Sequence, residues 1–159
     1  AEAPARAVTS MNKALCRRGL ESRFVTLMFG VLSADGKLTY CNAGHNPPLV
    51  IGPGGIRHLG AGGPVVGLLE FAPYDQETVQ LAKGDVIVIF SDGVSEALNS
   101  AGEEFGEDRL QTEIERAGTG SPAMTIVERV VAGVRTFTKG APQSDDITVM
   151  VIRYLGTAA

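Results

Sequence analysis

The chain has 159 residues, 44% of them hydrophobic, and a formal net charge of −4. That length accommodates one domain with an apolar core and not two comfortable ones, and the composition excludes a disordered segment. The acidic balance argues against nucleic acid as a partner, since no basic cluster exceeds Arg17-Arg18, and no apolar run approaches a membrane span. Residues 1–8 carry charge and proline and do not read as a signal peptide. Cys16 and Cys41 have neither metal nor disulfide spacing and read as buried thiols of a reducing, cytoplasmic compartment. The sequence does not begin with Met, as expected of a processed chain or a fragment.

Residues 3–18 predict a helix. Val8, Met11, Leu15 and Leu20 form its apolar stripe, Pro4 suits its first turn and Gly19 its end. A strand follows over 24–32, turns through Asp35-Gly36 and returns over 38–42 as a β-hairpin. Ala43-Gly44-His45-Asn46-Pro47-Pro48 is a loop in which two prolines forbid regular pairing. His45 reads either as a proton donor or ligand, or as a structural loop residue, and the loop chemistry favours the second. Strands at 49–51 and 56–59 flank a Gly-Pro-Gly-Gly turn, with His58 on the exposed side. The glycine-rich stretch 60–69 lacks the Lys-Ser/Thr of a phosphate-binding loop and reads as a connector that permits close backbone approach. Residues 76–81 alternate as a half-buried strand, expected to hairpin through 82–84 into the strand after it.

That next strand organises the chain. Val86 to Phe90 are five apolar, mostly β-branched residues bounded by turn signals, the pattern of a strand buried on both faces. It ends at Ser91-Asp92-Gly93, with helical turns over 94–98. Asp92 reads either as a rigidly held metal ligand or as a cap of the helical turns. Residues 106–116 predict a short helix carrying Leu110 and Ile114. Ser121-Pro122 opens a longer one, Ser as N-cap and Pro as first residue, with Met124, Val127, Val130, Val131, Val134 and Phe137 facing a sheet and Gly140 ending it.

Asp145 and Asp146 then precede an apolar strand over 147–152. Adjacent aspartates repel one another unless a cation or hydrogen-bond donors compensate, and hard divalent ions take carboxylate oxygens. If this strand pairs with 86–90, Asp92 and Asp145-Asp146 converge; the alternative is a solvated turn. Strands and helices are segregated rather than alternating, which gives an α+β layered fold.

Six motifs in order resemble one family: Phe24-Val25-Thr26-Leu27, Asn42-Ala43-Gly44-His45-Asn46-Pro47, Gly63-Pro64-Val65-Val66-Gly67-Leu68, Gly84-Asp85 with Ser91-Asp92-Gly93-Val94-Ser95-Glu96-Ala97, Phe105-Gly106, and Asp145-Asp146-Ile147-Thr148. Over residues 8–153 the chain is similar to metal-dependent protein Ser/Thr phosphatases of the PPM (type 2C) fold, in their bacterial SpoIIE-like branch. The resemblance implies a four-layer αββα sandwich of two antiparallel sheets, incomplete at its N-terminus. It implies two Mn²⁺ or Mg²⁺ ions that activate a water for in-line attack on phosphoserine or phosphothreonine without a phosphoenzyme. Asp92 and Asp145 would be metal ligands, Asp146 and Gly93 would support them from behind, and Gly44, His45 and Asn46 would form a structural loop near the site.

The implied substrate is a phosphorylated regulatory protein, an anti-anti-sigma factor by resemblance. The family's N-terminal part, with an aspartate bridging both metals, precedes the first residue given. Residues 1–159 are therefore expected to be a single domain, the C-terminal two-thirds of a phosphatase domain, with weak metal occupancy, little activity alone and homo-oligomers formed through exposed strand edges. A catalytically silent module acting by protein binding is the competing reading. Haloacid-dehalogenase chemistry is disfavoured, because Phe90 stands where that motif needs an aspartate.

Overall fold

The computed structural model describes residues 3–18, 24–118 and 120–157. In chain order the elements are α1 (Pro4–Arg17), β1 (Leu27–Leu32), β2 (Lys37–Ala43), β3 (Leu49–Gly52), β4 (Gly55–His58), β5 (Gly62–Gly63), β6 (Glu77–Gln80), β7 (Val86–Phe90), α2 (Asp92–Ser95), α3 (Gly106–Ala117), α4 (Ala123–Thr138) and β8 (Val149–Arg153). They divide into two units, one of Ala1–Pro47, His58–Lys83 and Gly156–Ala159, the other of Pro48–Arg57 and Gly84–Leu155. Each unit holds one sheet and its own helices, the expected α+β class.

In the first unit β1 and β2 form the expected antiparallel hairpin, in register from Leu27 opposite Ala43 to Leu32 opposite Leu38. Gly36 closes it at φ 85°, a conformation that glycine adopts without steric cost. The other edge of β2 is shared. β6 pairs antiparallel with its first half, and β5 pairs in parallel with Asn42 and Ala43. The sheet is thus not purely antiparallel, and the glycine-rich connector contains a strand. Sequence reading missed β5 because Gly62 and Gly63 have almost no strand propensity. The expected close approach is real: a Cβ on Gly62 would fall 1.7 Å from the carbonyl oxygen of Asn42.

α1 packs on β1 and β2 through Val8, which is fully buried, with Ala5 and Leu15 partly buried beside Cys41, Ala43 and Val66. Met11, expected on the buried stripe, is 42% exposed. Asn12 takes the buried position instead. Leu20 and Gly19 lie outside the described residues. Cys41 is buried as expected, whereas Cys16 is only half-buried.

In the second unit the strand order is β4-β3-β7-β8. β7 is central, antiparallel to β3 (Leu49 opposite Val88) and to β8 (Phe90 opposite Val149). The expected hairpin between residues 76–81 and β7 does not form. β6 joins β2 in the other sheet, and β7 takes β3 and β8 as its partners. Alternation within 76–81 defines a half-buried strand but carries no information about its partner.

α3 and α4 pack against one another, and α4 also lies on β8. Ile126, Val130 and Val134 are fully buried and join Leu110, Ile114, Phe90 and Val88 in one core, with Phe137 packed against it. The buried stripe of α4 is thus rotated from the expected one, and Met124 is 65% exposed. The N-cap of α4 is Pro122 rather than Ser121, whose hydroxyl instead donates to the Ala117 carbonyl at 2.6 Å. Lys139 ends the helix in the left-handed conformation, φ 46°, before Gly140 at φ 84°.

Candidate metal centre

Antiparallel pairing of β7 and β8 brings the C-terminal end of one strand to the N-terminal end of the other. Ser91-Asp92-Gly93 and Asp145-Asp146 therefore meet at one end of the second unit's sheet. The ladder continues past the last strand pair: the Ser91 amide donates to the Thr148 carbonyl at 3.0 Å. The Ser91 hydroxyl donates to the Asp146 carbonyl at 2.8 Å and accepts from the Thr148 amide at 2.9 Å. Ser91 thus clamps the turn carrying the paired aspartates, a role the sequence reading did not give it.

Gly93 is buried in α2 against that turn, where a Cβ would lie 2.4 Å from the Asp146 carbonyl oxygen. Any side chain there would push the two aspartate-bearing segments apart. One oxygen of Asp92 accepts from the Gly93 amide at 2.9 Å, and one oxygen of Asp145 accepts from the Asp146 amide at 2.6 Å. Among the described residues, neither carboxylate's Oδ2 has a hydrogen bond or ion pair. Asp92 does not cap a helix end in the usual way, because the N-cap of α2 is Ser91. All three aspartates are exposed.

These donors suit a hard cation: they are carboxylate oxygens, free on one side and fixed in orientation by a backbone N–H on the other. No group of three or more His, Cys, Asp or Glu among the described residues is arranged to hold a metal ion. What the described residues bring together is two aspartate-bearing segments, from the ends of two paired strands. A cavity of about 500 Å³ opens beside them, lined by Gly93, Leu98, Arg135, Pro142 and Asp146.

Gly44, His45 and Asn46 belong to the first unit. The buried side chain of Asn42 accepts from the His45 amide and donates to the His45 carbonyl, both at 2.9 Å, and donates to the Leu59 carbonyl at 3.2 Å. His45 Nδ1 lies 2.8 Å from the Asn46 carbonyl. That oxygen can only accept, so a neutral ring bonded there carries its proton on Nδ1. Gly44 stands at φ 69°, and a Cβ there would meet Val65 Cγ1 at 2.5 Å. Asn42 holds this loop, and its polar side chain inside a strand of mainly buried residues is the signal that could have found it.

The fold is that of solved PP2C domains. It is similar to the SiaA-PP2C domain of Pseudomonas aeruginosa, with a TM-score of 0.79 at 21% identity, covering 96% of this chain and 60% of that one. The chain belongs to the SpoIIE family: the family model "Stage II sporulation protein E (SpoIIE)" matches residues 1–155. Among curated proteins it is 31% identical over 132 residues to Protein IcfG of Synechocystis sp., covering 81% of this chain and 20% of that protein. It is also 31% identical over 102 residues to the phosphoserine phosphatase RsbU of Bacillus subtilis, covering 62% of this chain and 30% of RsbU. The chain thus spans less than a third of either curated relative.

Proposed function

We propose that the chain is the Asp92/Asp145 part of a metal-dependent phosphoprotein phosphatase, acting on phosphoserine or phosphothreonine of a regulatory protein. The observation that carries this reading is the convergence of Asp92 and Asp145 at neighbouring strand ends, each with one carboxylate oxygen unengaged. It is supported by membership of the SpoIIE family and by similarity to a curated phosphoserine phosphatase.

In this reading Asp92 and Asp145 hold Mn²⁺ or Mg²⁺. When bound, such ions acidify a water and neutralise charge on phosphoryl oxygens. The chain's own part is orientation. Ser91 fixes the distance between the two strand ends, Gly93 lets them approach, and Asp146 supports the turn through its carbonyl without touching the ion. His45 is structural: Asn42 and its own Nδ1 contact fix it within its loop. By the SpoIIE resemblance, the substrate is an anti-anti-sigma factor, met in the cytoplasm; no described helix is long and apolar enough to cross a membrane. The chain is the C-terminal two-thirds of one phosphatase domain, and strand-edge self-association completes the picture.

Mn²⁺ titration followed by electron paramagnetic resonance tests the site separately from turnover. Asp92→Asn and Asp145→Asn should each remove most of the binding, and Asp146→Asn should weaken it less. Equal Mn²⁺ affinity in all four proteins would rule out the assignment. Hydrolysis of a phosphoserine protein should then require Mn²⁺ or Mg²⁺ and be slow in the 159-residue chain. Metal-independent hydrolysis would exclude the chemistry proposed.

A further inference from the structure

Between α3 and α4 lies a cleft of about 680 Å³ whose lining includes Arg109, Glu113, Arg116, Arg129, Gly133 and Lys139. Four cations and one carboxylate thus line a groove on a chain whose net charge is −4. Glu113 is the internal counter-charge: it accepts from Arg116 Nη1 and Arg129 Nε, both at 2.8 Å, with its own side chain only 14% exposed. Gly133 makes room for it, since a Cβ there would lie 2.6 Å from Glu113 Cγ. A glycine inside a helix costs about 1 kcal/mol relative to alanine, so the notch is a sequence choice against helix stability.

Glu113 engages two of the four cations, Arg116 and Arg129, but one carboxylate balances only one positive charge, so the groove stays net positive. Arg109 is already set in place. Its guanidinium lies 4.6 Å from the Phe137 ring centre, and Nη1 donates to the Glu104 and Phe105 carbonyls at 2.9 and 3.0 Å. Its other nitrogens have no partner among the described residues. The positive charge is spread along the groove rather than focused. Arg109 and Arg116 are two turns apart on α3, about 10 Å along its axis, and Arg129 and Lys139 are about 15 Å apart along α4. A single phosphate would meet one or two of these groups. A peptide with several carboxylates would meet them all.

We propose that the α3–α4 cleft is a docking surface for an acidic polypeptide segment of a partner protein. Its carboxylates pair with Arg109, Arg116, Arg129 and Lys139 along the groove. Charge complementarity carries the assignment, and the docking is independent of the metal-binding aspartates.

Fluorescence anisotropy of a labelled twelve-residue peptide, with Glu at every third or fourth position, tests this on the chain without added metal. Saturable binding that weakens steeply with salt is expected, and the Arg116→Gln/Arg129→Gln pair should weaken it about tenfold. Glu113→Gln removes the internal counter-charge and should tighten binding about threefold. Glu115→Gln makes the same change of net charge on the exposed face of α3, outside the cleft, and should leave binding unchanged. If the double variant does not fold, Lys139→Asn supplies the loss-of-charge arm, because Asn tolerates the left-handed conformation. No saturable binding, an equal response to Glu113→Gln and Glu115→Gln, or full displacement by equimolar inorganic phosphate would each overturn the proposal. Failure of Mn²⁺ binding would leave these outcomes unchanged, so the two readings are separable.

Discussion

Ser91 and Thr148 exchange two hydrogen bonds across the open end of the β7–β8 ladder. The Ser91 amide donates to the Thr148 carbonyl at 3.0 Å, and the Thr148 amide donates to the Ser91 hydroxyl at 2.9 Å. Because the same hydroxyl donates to the Asp146 carbonyl, one oxygen ties Asp92's neighbour to both sides of the turn that follows Asp145. Ser91→Ala should cost about 1 kcal/mol in urea unfolding, a modest loss because the bonds are solvent-accessible. The larger effect should fall on Mn²⁺ affinity. An unchanged affinity would show that the clamp does not position the carboxylates.

Gly93→Ala should be worse than its size suggests. The added methyl would sit 2.4 Å from the Asp146 carbonyl oxygen, and backbone has to move to relieve it. A loss of about 1–3 kcal/mol is expected from such overpacking, measured by denaturant unfolding. Gly54→Ala is the matched control, since a Cβ there meets nothing within 4 Å. Equal effects of the two substitutions would remove the steric argument.

Asn12 is a buried polar residue on α1 with its whole amide engaged. Nδ2 donates to the Leu69 and Glu70 carbonyls at 2.8 and 3.3 Å, and Oδ1 accepts from the Gly67 amide at 2.8 Å. Asn12→Ala leaves these three part-buried backbone groups without their side-chain partner, at a cost of about 1–2 kcal/mol. Asn12→Asp should be at least as damaging, because its carboxylate cannot donate to the two carbonyls. Thermal unfolding of both variants checks this.

The two thiols should separate kinetically. Burial pushes the Cys41 thiol above its ordinary range, and nearby Asp75 adds to the effect. Cys41 should therefore resist alkylation in the folded protein, while half-buried Cys16 reacts first. Since folding raises the Cys41 pKa, the resulting stability is intact below the unfolded thiol's range, near pH 8.5, and is lost as pH rises through the folded value. Cys41→Ala should flatten the alkaline limb of a stability-against-pH curve. Equal alkylation rates for Cys16 and Cys41 in the native protein would contradict the burial.

The parts legible in the sequence were those whose cause is local. Val86–Phe90 carries its own strand signal and sits where that signal places it, and Asp35-Gly36 specifies its hairpin. The aspartates were legible because a carboxylate following or preceding an apolar run is placed at a strand end by the run itself. What stayed hidden depends on distant partners. Gly62-Gly63 becomes a strand only because Asn42 and Ala43 offer an edge. β6 has the same alternation whether it pairs with β2 or β7, and only the pairing decides. Asn12 and Ser91 look like ordinary polar residues until the carbonyls they bind are known. On α4, Met124 and Ile126 are equally apolar, and packing against Leu110 and Ile114 selects the face containing Ile126.

The β3–β4 segment belongs to the second unit, yet the chain makes it before returning to the first. Leu49 pairs with Val88, so β3 leaves the ribosome about 40 residues before its partner, a delay of several seconds at ordinary rates of synthesis. During that interval β3 can pair only with β4, and Leu49, Val50 and Ile51, all destined for burial, remain on an open edge of the nascent chain. β7 then waits longer still for β8. The β7 edge that leads into Asp92 is thus covered only when β8 emerges. The same late closures give the second unit long-range contacts that slow its folding relative to the β1–β2 hairpin, which closes on itself through a short turn.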